Sequence, residues 1–287
     1  MTRVRYLGVG RTRMIVESTG GPEDGTTFVW DVERRSVSAA LAGGSGVRRT
    51  GVVEAGGPLV VFTRPHQDGG FGVVEVADSA GRVVWARPEL PIMEAYVVEA
   101  GVGVWVAVST AHGTVALLDA TTGGTVRELR GAERVWPADE GHVLCSRRGS
   151  LQLRPAVKRA IVWTADEAPI LAAAASPSAC ICSVGTRVVS MSRADGDVLW
   201  QWEFPNFARV ALSFAWCASA GGWMCVVRDR GSGSMSLLEL SVKGDVKKET
   251  ALGKSLEAQL FGDGRHVVLA EGLVISTATG RVVWELP

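Results

Sequence analysis

Hydrophobic and polar positions alternate along this chain in short, valine-rich runs of four to eight residues. Such alternation is typical of half-buried β-strands, and glycine, proline, aspartate or serine closes each run, as turns between strands require. Residues 94–130 show the pattern well, with the runs EAYVVEAG, VWVAVST, TVALLDA and TVRELR. Helical periodicity over ten or more residues is nearly absent. The pattern therefore predicts an all-β protein.

The runs recur in seven repeats, each with a tight turn between its third and fourth strand. Three repeats place a glycine four residues before a tryptophan: Gly81 and Trp85, Gly196 and Trp200, Gly280 and Trp284. The others keep part of this signature: Gly123 with Arg127, Trp163 with Arg159, Gly244 with Lys248, and Arg35 with Ala39. The turn positions are 36 to 48 residues apart, and the two chain ends together supply one further interval of that size. Whole repeats without remainder are what a closed ring requires.

Seven repeats of four antiparallel strands predict a single-domain, seven-bladed β-propeller. The expected blades are residues 1–43, 44–90, 91–131, 132–167, 168–205, 206–253 and 254–287. A β-sandwich is the alternative, but it does not account for the recurring step from glycine to tryptophan. We expect each tryptophan to cover the joint between neighbouring blades, and each glycine to supply a positive φ in the turn before it.

The fullest repeats read V-x-x-x-D-x-x-T-G-x-V-x-W, with residues 279–284 and 119–123 as the closest matches. Asp119 keeps the aspartate, whereas Ala77, Ser192 and Ser276 replace it elsewhere. This pattern resembles the PQQ-like repeat of the quinoprotein and β-propeller-repeat superfamily. Trp30-Asp31 also looks like the dipeptide of WD repeats, although the Gly-His partner upstream is missing. The resemblance covers the whole chain and implies an architecture, not a role.

The same resemblance extends to PQQ-dependent dehydrogenases, and it implies features that this chain lacks. Those enzymes have eight blades in a longer chain, a vicinal cysteine pair, an aspartate base and a calcium site. Here the nearest cysteines, Cys180 and Cys182, are separated by one residue. A phosphate-binding loop, an HExxH motif and a G-x-S-x-G motif are also absent. We therefore expect no catalytic residues, no metal and no cofactor.

Two other functions stay open. A lactonase-like, metal-dependent hydrolase would use acids at the mouth of the channel, for which Glu54, Glu99, Asp139 and Glu257 are the candidates. These acids do not recur at one matching position of the repeat. A small-ligand sensor is the other alternative.

Composition narrows the partners and the compartment. The 30 Lys+Arg residues balance the 30 Asp+Glu residues, so the total charge gives no case for a nucleic-acid or membrane ligand. No apolar run reaches the roughly 18 residues of a membrane span, and no secretory signal is recognisable. The five cysteines lie in apolar runs. We expect them to be buried free thiols, which fits an intracellular, reducing compartment, either the cytoplasm or an ER-membrane-associated or organellar complex.

Long loops between second and third strands indicate where a partner docks. They occur at 18–26, 63–70 and 228–234, and the connections between blades at 45–51 and 204–210 should emerge on the same face. The expected function is a scaffold or protein–protein interaction module, a subunit of a larger complex that binds a protein or an acidic peptide. The predicted partner-binding residues are Arg48, Arg49, Arg64, His66, Arg147, Arg148, Phe207, Arg228 and Arg230.

Overall fold

The computed structural model describes residues 3–9, 12–19, 26–41, 48–53, 59–64, 72–78, 80–100, 103–138, 141–156, 161–166, 170–205, 208–255, 257–270 and 272–285. In these residues the chain forms antiparallel β-strands joined by turns, which confirms the predicted all-β class. The chain divides into two compact units, Met1–Val135 and Trp136–Leu286, referred to below as the N-terminal half and the C-terminal half. The single-domain prediction and its blade boundaries stay predictions.

The N-terminal half contains a four-stranded sheet and a seven-stranded sheet. The first sheet consists of β1 (Arg3–Val9), β2 (Arg13–Thr19), β3 (Thr27–Asp31) and β4 (Ser36–Leu41). The second consists of β5 (Arg48–Val53), β6 (Leu59–Arg64), β7 (Gly72–Ala77), β8 (Val83–Ala100), β9 (Gly103–Thr110), β10 (Thr114–Asp119) and β11 (Thr125–Arg130).

Four more four-stranded sheets follow, beginning at the boundary of the C-terminal half. The third sheet consists of β12 (Arg134–Ala138), β13 (His142–Arg147), β14 (Ser150–Pro155) and β15 (Trp163–Asp166). The fourth consists of β16 (Ile170–Ala175), β17 (Ala179–Val184), β18 (Arg187–Ser192) and β19 (Val198–Glu203). The fifth consists of β20 (Arg209–Cys217), β21 (Gly222–Asp229), β22 (Ser234–Leu240) and β23 (Val246–Lys254). The sixth consists of β24 (Ala258–Leu260), β25 (His266–Leu269), β26 (Leu273–Ser276) and β27 (Val282–Glu285).

The prediction of four-stranded antiparallel blades is confirmed, but the prediction of seven separate blades is wrong, because the described residues form six sheets. The second and third repeats share one sheet through β8, which runs unbroken for 18 residues. The residues of β8 up to Arg87 pair with β7, Ile92 pairs both with Gly72 of β7 and with Thr110 of β9, and the residues from Glu94 onwards pair with β9. Residues 88–91 have no partner on either side, so Pro88 and Pro91 extend the strand without removing a ladder hydrogen bond.

The core lies between the faces of successive sheets. In the C-terminal half, Leu144 and Trp163 of the third sheet pack with Met191 of the fourth. Ile181 of the fourth sheet packs with Trp223 of the fifth. Each sheet therefore buries its apolar face against the next, so that the third, fourth, fifth and sixth sheets follow one another in order.

The repeat tryptophans join one repeat to the next through their indole N–H groups. Each ring stands near the start of a fourth strand and donates to a carbonyl in the turn before the fourth strand of the following repeat. The pairs are Trp85 with the carbonyl of Ala120 at 2.8 Å, Trp163 with Arg193 at 2.9 Å, and Trp200 with Val242 at 2.8 Å. Where the repeat has lysine instead, the Nζ of Lys248 donates to the carbonyl of Ala278 at 3.0 Å. The expected role of these rings at the joint between repeats is confirmed.

The repeat glycines have two reasons to be glycine. Their φ angles are positive, as predicted: 78° at Gly81, 70° at Gly123, 83° at Gly196, 89° at Gly244 and 69° at Gly280. The tryptophan of the preceding repeat also lies directly on three of them. A Cβ atom added at Gly196 would lie 2.9 Å from Cδ2 of Trp163, closer than real Cβ contacts allow. Arg35, at the glycine place of the first repeat, also has a positive φ, of 52°.

The repeat aspartate closes its turn from within. The Oδ1 atom of Asp119 accepts hydrogen bonds from the N–H groups of Thr121 at 3.0 Å and Thr122 at 2.7 Å, and from the Thr122 hydroxyl at 2.9 Å. Burial alone would raise the pKa of Asp119, but these bonds hold that pKa below its usual value. The aspartate of this repeat is therefore a turn-forming residue.

All five cysteines are free and buried, as the sequence predicts. Burial raises the pKa of Cys180 to about 12, although the nearby charge of Arg193 opposes the change. Burial raises the pKa of Cys225 as well. Thiolates are the reactive form of cysteine, so these thiols have little reactivity in the folded protein.

Candidate functional site

The hairpins between second and third strands lie at the same end of the C-terminal sheets as the connections from sheet to sheet. The backbone N–H of Arg230, in the hairpin of the fifth sheet, donates to the carbonyl of Ala208 in a connection, at 2.7 Å. Likewise the N–H of Phe204 donates to the carbonyl of Thr186, at 3.1 Å. We name this end the connecting edge. It comprises the hairpins at 147–150, 184–187 and 229–234, together with the described residues of the hairpin at 269–273 and of the connections at 203–209 and 254–258.

Arg147 and Arg148 form the hairpin of the third sheet. Arg147 ends β13 and pairs with Ser150, whose hydroxyl donates to the Arg147 carbonyl at 2.8 Å. The two residues between them, Arg148 and Gly149, have φ angles of 48° and 82°. Two consecutive positive φ angles are typical of the type I′ turn, in which asparagine or glycine normally takes the first place. Arg148 is exposed, and its left-handed backbone is uncommon for a long side chain.

Arg228 and Arg230 flank the hairpin of the fifth sheet, which Asp229 closes in the same way as Asp119 closes its own turn. The Oδ1 atom of Asp229 accepts the N–H groups of Gly231 at 3.0 Å and Ser232 at 2.7 Å, and the Ser232 hydroxyl at 2.9 Å. The hydrogen bond from the Ser232 backbone contributes most to lowering the pKa of Asp229. The carboxylate is thus committed to the turn, while Arg228 is half-buried and Arg230 is exposed.

The guanidinium groups of Arg147, Arg148, Arg228 and Arg230 have no hydrogen bond or ion pair to other described residues. Many other arginines are paired. Examples in the C-terminal half are the guanidinium groups of Arg154 with Gln152 at 2.8 Å, Arg187 with Gln201 at 3.4 Å, Arg193 with the Ser176 carbonyl at 3.1 Å, and Arg209 with Glu249 at 2.8 Å. The connecting edge therefore presents four arginines whose guanidinium groups do not bind the described part of the protein.

The remaining predicted residues of the docking face lie elsewhere or outside the described residues. Arg48 and Arg49 begin β5 and Arg64 ends β6, all in the N-terminal half. Arg48 and Arg49 thus belong to a strand, whereas the sequence predicted a connection. His66 and Phe207 lie outside the described residues, as does most of the loops at 18–26 and 63–70. Phe204 is buried, so it belongs to the core and is not an exposed anchor.

Few described residues could contribute to the active site of a metal-dependent hydrolase. No group of three or more histidine, cysteine, aspartate or glutamate side chains in the described ranges is arranged to hold a metal ion. Of the four candidate acids, Glu257 is exposed beside β24, and Glu99 lies in β8. Glu54 and Asp139 fall outside the described residues. His112 is exposed, and His266 packs edge-on against Phe261, with ring centroids 6.1 Å apart.

Across the part of the chain that is described, no helix is long and apolar enough to cross a membrane.

Comparison with solved structures identifies the fold. Hsv2 of Kluyvelomyces marxianus has a TM-score of 0.68 at 10% identity, over 96% of this chain and 91% of that one. The β-propeller domain of Cps50 (Swd1) from Myceliophteria thermophila has a TM-score of 0.66 at 13% identity, over 97% and 95%. A chain of the mitotic checkpoint complex has a TM-score of 0.66 at 15% identity, over 93% and 83%. The fold is that of a β-propeller.

This likeness confirms the predicted resemblance to WD-repeat-like propellers in architecture. No protein-family model matches the sequence, and a search of curated proteins finds no similar sequence. At sequence identities of 10–15%, the similarity establishes the fold but not a particular role. The PQQ-like assignment of the repeats stays a prediction.

The sequence analysis predicted the four arginines of the connecting edge as partner-binding residues, but it did not predict the left-handed backbone of Arg148. The dipeptide Arg148-Gly149, between the apolar runs HVLCS and SLQL, has the spacing of a two-residue hairpin. That spacing was the available signal for the left-handed backbone of Arg148.

Proposed function

We propose that this β-propeller is a non-catalytic interaction module and a subunit of a larger assembly. The observation that carries the proposal is the set of four arginines on the connecting edge whose guanidinium groups have no partner among the described residues. Arginine donors bind carboxylates in paired, directional hydrogen bonds, so an unoccupied set of this kind fits an anionic surface of another protein. The similar chain from the mitotic checkpoint complex and the propeller domain of Swd1 support a scaffolding role.

The arginines of the N-terminal half belong to the same proposal. Arg48, Arg49 and Arg64 lie at strand ends that pair with one another: Arg48 pairs with Thr63, and Arg49 with Phe62. In an antiparallel pair this places all three at one end of β5 and β6. Together with His66 they are proposed as a second partner-binding site.

Co-purification from the native source tests the assembly. Tagged wild-type protein should retain partner subunits in fixed ratio through gel filtration, and the double variant Arg48→Glu/Arg49→Glu should retain less. Wild-type protein that elutes alone, with no stoichiometric partner under low-salt conditions, contradicts the proposal. A stoichiometric divalent ion in the purified protein would favour the hydrolase alternative.

We also propose an intracellular, reducing compartment. The support is the five free cysteines, none of which is paired in a disulfide in the structure.

A further inference from the structure

We propose that the connecting edge of the C-terminal half binds an extended acidic segment of a partner protein, with carboxylates about three residues apart. This inference rests on the proposed function, because it names the chemistry of the partner that an interaction module would hold.

Five arginines form a row along this edge. Arg147 and Arg148 lie in the third sheet, Arg187 begins the third strand of the fourth sheet, and Arg228 and Arg230 lie in the fifth. These sheets pack face to face in that order. Arg187 already bonds Gln201, at the long distance of 3.4 Å, and a carboxylate is a stronger acceptor than that amide.

The spacing of the row sets the spacing of the ligand charges. Packed sheets lie roughly 10 Å apart, so the row from third to fifth sheet is about 20 Å long. An extended chain rises about 3.3 Å per residue, so about six residues cover the row. Carboxylates roughly every third residue would then meet one sheet each.

The backbone of Arg148 is the second observation that favours a ligand. A left-handed conformation is strained for an L-residue, whereas a glycine would adopt it without strain. In the described structure the Arg148 side chain binds nothing that offsets this strain. Residues with a strained backbone that the surrounding contacts do not offset are typical of ligand-binding positions.

Acidic side chains on the same edge limit the class of ligand. Glu203 is exposed and accepts the Thr186 hydroxyl at 2.8 Å, and Glu257 is exposed in the next connection. Together with Asp229 they would repel a dense polyanion such as nucleic acid, whose phosphates are closely spaced. A peptide with separated carboxylates can place each charge near an arginine and neutral residues near the acids.

Fluorescence anisotropy with a labelled peptide tests the proposal on the full chain. The probe is a ten-residue Gly/Ser peptide with glutamate at every third position, compared with its glutamine version and with a version whose glutamates are consecutive. Binding should be lost with glutamine, weaken with raised salt, and be at least threefold tighter for the spaced version than for the consecutive one.

Arg148→Gly separates binding from folding. It should weaken peptide binding two- to tenfold while raising the melting temperature, because it removes the strain with the side chain. Arg35→Gly is the matched control: Arg35 has a φ of 52° in the N-terminal half, so its replacement should raise the melting temperature and leave binding unchanged. Arg230→Gln is the second binding variant and should weaken binding without changing stability.

The proposal is overturned if the spaced peptide does not bind, if both arginine variants bind it as wild type does, or if consecutive glutamates or anionic vesicles bind better. These failures differ from a failure of the proposed function. If wild type and Arg148→Gly co-purify equally with stoichiometric partners, the protein is still an interaction module, but its partner does not bind as an acidic peptide on this edge.

Discussion

Replacing Gly196 by alanine tests the contact that joins successive repeats. Gly196 has a φ of 83°, and a Cβ atom there would lie 2.9 Å from Cδ2 and 3.0 Å from Cγ of Trp163. The indole is 6% exposed and donates a 2.9 Å hydrogen bond to the carbonyl of Arg193. The ring is therefore held on both sides and has little room to yield to a methyl group.

Two costs add in this variant. The left-handed backbone costs alanine about 1–2 kcal/mol more than glycine. Forcing a methyl group against a buried ring costs typically about 1–3 kcal/mol more. Gly196→Ala should therefore lower the free energy of unfolding by about 2–5 kcal/mol. Gly253→Ala is the control with only the first cost, because Gly253 has a φ of 87° and nothing within 4 Å of an added Cβ.

Urea unfolding followed by far-ultraviolet circular dichroism measures both variants. A double-mutant cycle then isolates the contact: in a Trp163→Ala background, Gly196→Ala should cost only what Gly253→Ala costs. If Gly196→Ala and Gly253→Ala lower the free energy of unfolding equally in the wild-type background, the ring does not hinder the added methyl group. The same conclusion follows if Gly196→Ala costs as much in the Trp163→Ala background as in the wild type.

Three further predictions follow from the turns and the core. Arg35→Gly should raise the free energy of unfolding by about 1 kcal/mol, since glycine tolerates the φ of 52°; a lower midpoint in urea would contradict this. Native protein at pH 8 should not react with a thiol-specific reagent, because all five cysteines are buried and the pKa of Cys180 is raised to about 12; urea should expose five thiols, and rapid labelling before unfolding would disprove their burial. The pKa values of Asp119 and Asp229 are lowered in the folded state, so both stabilise the protein above the ordinary aspartate pKa, and that stabilisation is lost as pH falls through the lower folded values. Melting temperatures measured from pH 6 down to pH 3 should fall in the acid range, and less steeply for Asp119→Asn/Asp229→Asn; parallel curves would show that these carboxylates do not contribute.

The repeat signature predicted the strands and turns because it recurs at a regular spacing and each of its residues has one physical role. A glycine with positive φ fixes the turn, which is a local role. The large ring four residues later contacts a turn of the following repeat, so its role depends on the presence of that repeat. The lysine at the tryptophan place, Lys248, shows that the signature tolerates change, since its ammonium donates to the same kind of carbonyl.

The number of sheets could not be predicted from the same signature. The sequence predicts a boundary between the second and third repeats at residues 90 and 91, beside two prolines that cannot donate a backbone hydrogen bond, Pro88 and Pro91. In β8 they fall where neither neighbouring strand pairs, so the strand continues through them. That outcome depends on where β7 and β9 begin and end, which the local sequence around the prolines does not contain.

The candidate site, too, could be predicted only in part from the sequence. Arginines near hairpins are visible in the sequence, but whether each guanidinium has a partner depends on the fold. Arg187 bonds Gln201, 14 residues away in sequence, whereas Arg148 and Arg230 bond no described side chain. The difference between paired and unpaired arginines, which favours a partner at this edge, therefore becomes visible only in the folded structure.

Charge reversal at opposite ends of the C-terminal sheets tests whether a partner docks on the connecting edge. One variant carries Arg147→Glu, Arg148→Glu and Arg230→Glu on the connecting edge. The other carries Lys243→Glu and Arg281→Glu, at exposed turns of the opposite end. Quantitative co-purification should show that the first variant loses its stoichiometric partner while the second retains it, with both folded by circular dichroism. Equal retention by the two variants, or loss from the second alone, would contradict docking through the connecting edge.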